Sequence, residues 1–93
     1  MNYIQRGSIK MIFINLDKLE TVSKLTKICE HYKNYMDTDV VHGKYIVDGC
    51  SILGVVSLLG NVVRVVPNTN DDLLLAYFIR ELQDIGAWVE KTN

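Results

Sequence analysis

The chain has 93 residues, with 48% hydrophobic and 23% charged residues and a net charge of −1. One hydrophobic core fits that length, and the composition argues against disorder. The near-neutral balance gives no support for a nucleic-acid partner, and no apolar run reaches membrane-spanning length. Cys29 and Cys50 fit reduced thiols in a cytoplasm better than a disulfide framework, and the opening hexapeptide Met1-Asn2-Tyr3-Ile4-Gln5-Arg6 does not lead into a signal-peptide core. A single cytoplasmic domain over residues 1–93 is expected.

In chain order, residues 1–8 lack periodicity and read as a lead-in. Residues 9–16 read as a first strand, rich in β-branched and aromatic side chains. Asp17 followed by Glu20 has the shape of a capping box. Leu19, Val22, Leu25, Ile28, Cys29 and Tyr32 then recur at helical spacing, which predicts a helix over about 18–33. Residues 37–41 and 44–47 read as two strands of a hairpin, with His42 and Gly43 as its two-residue turn.

Ser51 precedes an apolar run and has the chemistry of an N-cap, so a short helix is expected from Ile52 to about Gly60. Residues 62–66 form a fourth strand closed by Pro67. The polar residues 68–72 supply a cap for a last helix, whose apolar face is Leu74, Leu75, Phe78, Ile79, Leu82 and Ile85. Gly86 ends it, and residues 87–89 either pack back or continue the edge of the sheet. The order is β-α-β-β-α-β-α, an α+β pattern that buries one face of each element when helices cover one side of a sheet.

The run Ser51-Ile52-Leu53-Gly54-Val55-Val56-Ser57-Leu58 resembles the regulatory-serine helix of HPr, the phosphocarrier of the bacterial sugar phosphotransferase system. The typical wording there is Ser-Ile-Met-Gly-Val-Met-Ser-Leu, and only the third and sixth positions differ, each apolar for apolar. The element order matches that family from about Ile9 to Ile85. The resemblance implies an HPr-like open-faced β-sandwich: a four-stranded antiparallel sheet of order 1-4-2-3 with three helices on one face. It also implies a kinase-accepting serine at Ser51 and a protein-docking surface at Ile52, Leu53 and Val56.

The family carries its phosphate on a histidine in a Gly-(Leu/Ile)-His-x-Arg-Pro-Ala motif. Counting back from Ser51 without gaps places Glu20 at the histidine, Val22 at the arginine and Ser23 at the proline. A carboxylate is a poor substitute for imidazole in reversible phosphoryl carriage, and no arginine balances the charge. Glu20 reads as a capping residue, or as a permanent imitation of part of a phosphohistidine's charge.

The rest of the chain supplies no catalytic constellation, no metal-ligand spacing and no cofactor motif. Cys29 and His31 point to different sides of a helix. Cys50, beside a helix start, reads as an inert small residue or as an acidified thiol. The expected protein is a non-enzymatic regulator or adaptor related to the phosphotransferase system. Its partners would be proteins, such as an HPr kinase or a carbon-regulation protein, with no nucleic acid and no membrane. The rival readings are a phosphocarrier with an unusual acceptor, Glu20 or His42, and a structural or oligomerisation module.

Overall fold

A computed structural model describes residues 11–90. The expected lead-in and the first two residues of the expected first strand, Ile9 and Lys10, lie outside that range. Strand β1 spans Ile12–Asn15, helix α1 Leu19–Tyr32, β2 Asp37–His42 and β3 Tyr45–Asp48. Helix α2 spans Ile52–Val56, β4 Val62–Asn68, α3 Asp72–Asp84 and β5 Trp88–Val89. The described residues form an α+β fold: one open antiparallel sheet of five strands, in the order β3-β2-β4-β1-β5, with three helices.

Alternation along the strands builds the core. In β1 the side chains of Ile12 and Ile14 are fully buried, in β4 those of Val63 and Val65, and in β2 that of Val40. They join Val22, Leu25, Cys29 and Tyr32 of α1, Val55 of α2, and Phe78 and Leu82 of α3 in one apolar cluster. The helices therefore meet the same face of the sheet, as the period-two and period-3.6 patterns require. On the opposite face Phe13, Val41, Arg64 and Val66 are half-buried, and Ile46 is exposed.

Four expectations are corrected. The sheet has five strands rather than four, because Trp88 and Val89 pair with Ile14 and Phe13 on the free edge of β1. A turn at Gly86, with φ +88°, sends the chain back to that edge. The hairpin turn lies one residue later than expected. His42 pairs with Tyr45 inside the ladder, and Gly43, at φ +61°, opens the two-residue turn. His42 is accordingly a half-buried strand residue with Nδ1 3.4 Å from the Val62 carbonyl oxygen.

Pro67 does not close β4 but sits within it, opposite Thr38 of β2. Among the described residues β1 pairs with β4 as far as Val65. Finally, the capping box does not form. The N-cap of α1 is Lys18, which makes no side-chain cap bond, and Asp17 Oδ1 instead accepts a hydrogen bond from Thr21 Oγ1 at 2.9 Å. Extended backbone at Lys18 places Asp17 one residue too early to cap, and the threonine one turn ahead takes its carboxylate.

Candidate functional site

Two antiparallel helices define the surface on which the sequence-expected residues sit. The chain leaves β1 through Leu16, whose carbonyl accepts from Gly60 N–H and whose N–H donates to Asn61 O. The start of α1 thus lies beside the end of the α2 segment. At the other end, Cys50 and Ile52 line a shallow depression of about 220 Å³ with Thr26, Lys27 and Glu30 of α1. Glu20 and Ser51 consequently stand at opposite ends of the helix pair.

Ser51 is exposed and acts as the N-cap of α2, its Oγ accepting from Gly54 N–H at 3.2 Å. The turn over residues 48–51 prepares this geometry. Asp48 O accepts from Ser51 N–H and Asp48 Oδ1 from Cys50 N–H, at 3.0 and 2.8 Å. The helix itself is shorter than expected, five residues, because past Ser57, whose N–H still donates to Leu53 O at 3.2 Å, its ladder continues as turn-type bonds such as Leu58 N–H to Val55 O. Gly60, at φ +92°, ends the segment. Removing the cap oxygen in Ser51→Ala should cost about 1 kcal/mol, read as a lower urea midpoint with an unchanged slope.

Of the three expected docking residues, Leu53 is 81% exposed and Ile52 51% exposed. Val56 is half-buried and packs against the core cluster, so it contributes an edge rather than a full side chain. The intervening Val55 turns inward and is fully buried. Periodicity alone does not separate these roles, since every side chain in the run is apolar. Two further exposed leucines, Leu19 at the start of α1 and Leu59 beyond α2, belong to the same helix pair. Leu19 belongs to the apolar stripe expected of α1, but its place in the first turn exposes it.

Glu20 is exposed and lies 3.5 Å from Lys24 and 4.0 Å from Lys18. These lysines supply positive charge where the motif has an arginine, although exposed pairs of this kind contribute little to stability. Val22, at the family's arginine position, is a fully buried core residue. Among the described residues the ion-pair partners of Glu20 are lysines and not an arginine. Among the described residues there is also no cluster of three or more histidine, cysteine or acidic side chains able to hold a metal, and no helix long and apolar enough to cross a membrane.

His31 is exposed on α1. Cys50 is not acidified by its helix start: burial and the nearby Asp48 carboxylate raise its pKa. Burial, the neighbouring Cys50 and Asp48 push the Cys29 thiol up to about 12. A depression of about 530 Å³, unmarked by any sequence motif, lies elsewhere on the surface among Tyr35, Thr69, Leu73 and Tyr77. Its residues come from two chain segments that only the fold brings together. No family model, curated protein or solved structure matches the chain.

Proposed function

We propose that this protein is an HPr-like regulator or adaptor related to the sugar phosphotransferase system, working by binding rather than by phosphoryl carriage or catalysis. Ser51 is its kinase-accepting residue, and Ile52, Leu53 and the edge of Val56 are its docking surface. The observation that carries this reading is the exposure of Ile52 and Leu53 directly beside an exposed serine hydroxyl. Large apolar side chains held in solvent on a short, capped helix are a cost that a partner surface relieves.

Other features support the same reading. The strand succession β1-β4-β2-β3 occurs within the sheet, with β5 added outside β1. At the carrier end, an exposed glutamate paired to lysines and a core valine replace the histidine and arginine that reversible phosphoryl transfer needs. A phosphate on Ser51 would add roughly two negative charges next to the apolar contact, repelling an acidic partner and recruiting a basic one.

The test is intact-mass measurement after incubation with ATP and an HPr kinase. One added phosphate is expected, absent in Ser51→Ala. In Ile52→Asp the rate should fall about tenfold or more, the effect of burying a charge in place of an apolar anchor. An unmodified wild type would remove the serine switch from the proposal, and wild-type kinetics in Ile52→Asp would remove the docking surface.

A further inference from the structure

We propose that Cys29 and Cys50 form a reversible intramolecular disulfide that ties α1 to the turn entering α2. Cys29 lies in α1 and is 1% exposed. The turn before Ser51 passes directly over it. A Cβ placed on Gly49 would stand 2.8 Å from Cys29 Sγ and 3.4 Å from Cys29 Cβ, and also 3.1 Å from Thr38 O. Only a residue without a side chain lets the backbone come this close. Gly49 is held there by its N–H bond to Thr38 O at 2.8 Å.

The residue that follows Gly49 is the second cysteine. Cys50 is half-buried, packs against the cluster that contains Cys29, and shares a depression with Thr26, Lys27 and Glu30. Those α1 residues lie three and two positions before Cys29 and one after it, so Cys50 rests against the stretch of α1 that carries Cys29. The two thiols also feel one another's charge, since Cys50 is the second-largest cause of the raised Cys29 pKa. A disulfide requires Cα atoms about 4.4–6.8 Å apart. Cys50 stands one Cα step of about 3.8 Å from Gly49, and bridge closure is the movement of the turn that brings it into that range.

Hydrogen peroxide is the oxidant. The Cys50 thiolate attacks a peroxide oxygen, the O–O bond breaks, and the departing hydroxide takes a proton to leave as water, giving a Cys50 sulfenic acid. Cys29 sulfur then attacks Cys50 sulfur. The S–S bond forms, the S–O bond breaks, and the Cys29 proton leaves with the hydroxyl as a second water. Two thiols are oxidised and one peroxide is reduced to two waters. Burial makes Cys29 a poor thiolate near neutrality, so bridge closure should accelerate by about tenfold per pH unit over the mildly alkaline range.

The experiment treats the full chain with hydrogen peroxide and measures intact mass and cross-linked peptides without reductant. The expected product is a monomer lighter by two hydrogens, with residues 29 and 50 in one linked peptide, restored by dithiothreitol. Cys50→Ser, a change at a half-exposed turn position, should lose the bridge while remaining folded by circular dichroism. Cys29→Ala should instead accumulate a Cys50 sulfenic acid that dimedone captures. A wild-type protein that yields dimedone-reactive monomer without the two-hydrogen loss, or a disulfide between two copies, would overturn the proposal.

Discussion

Phe78→Ala is expected to remove about 3–5 kcal/mol of stability, a large share of the roughly 5–15 kcal/mol that holds a domain folded. Phe78 is fully buried at the centre of α3's inward face, and its ring meets Tyr32 of α1 edge-on, with centroids 5.2 Å apart and planes at 80°. Truncation would leave a cavity between helices that the sheet cannot follow inward, because the strands are fixed by their ladders. The vacancy would also loosen Tyr32, whose hydroxyl donates to Glu81 Oε2 at 2.5 Å. Urea titration followed by circular dichroism measures the loss. Tyr77→Ala, one position away but 54% exposed, should change stability by no more than about 0.5 kcal/mol. Equal losses in the two variants would show that the α1–α3 contact is not part of the core.

Stability should fall steeply as the pH rises from 9 to 12. In the unfolded chain a cysteine thiol loses its proton near 9.0, whereas burial in the fold holds that of Cys29 until about 12. Tyr32 behaves in the same way, shifted from 10.0 to about 12 by burial and then by its bond to Glu81. Both folded-state values are raised, so their contribution is complete below pH 9 and is lost progressively as the pH climbs towards 12. The Cys29 contribution alone is about 4 kcal/mol, taking each tenfold change as about 1.4 kcal/mol. Urea midpoints measured between pH 8 and 10.5, with reductant present, should decline for the wild type. Cys29→Ala, less stable at neutral pH, should show a much flatter decline below pH 10. Parallel curves for the two proteins would assign the alkaline loss to other groups.

Much of the fold can be read from local pattern. The stripe through Val22, Leu25 and Cys29, the face through Leu75, Phe78 and Leu82, and the alternation through Val63 and Val65 all appear in the core. Ser51 caps as its chemistry demands, and Asp71 caps α3 by accepting from Leu73 and Leu74 N–H at 3.1 Å. These features depend on side chains a few positions apart, so periodicity and capping rules reach them.

The candidate site was legible only in part. Ser51 and Ile52 stand out by their wording, but Leu53 and Val56 are equally apolar in sequence, and only packing makes one 81% exposed and sets the other against the core. The lysines beside Glu20 stand two and four residues from it in the sequence, a spacing that the histidine motif, with its arginine, does not contain. The contact between the Cys50 turn and Cys29 had no local signal, since Cys29 and Gly49 lie 20 positions apart and the glycine's role emerges only once the helix lies beneath it.

The sequence by itself determined the order of helices and strands, the inward faces of α1 and α3, and the cap at Ser51. Each follows from hydrogen-bonding and burial requirements within one or two turns of chain. Tertiary structure alone decided that Trp88 and Val89 extend the sheet, that the hairpin turns at Gly43 rather than at His42, and that Pro67 lies inside β4. Strand register and edge pairing are set by which surfaces remain uncovered after the core has closed, and that is a property of the whole chain.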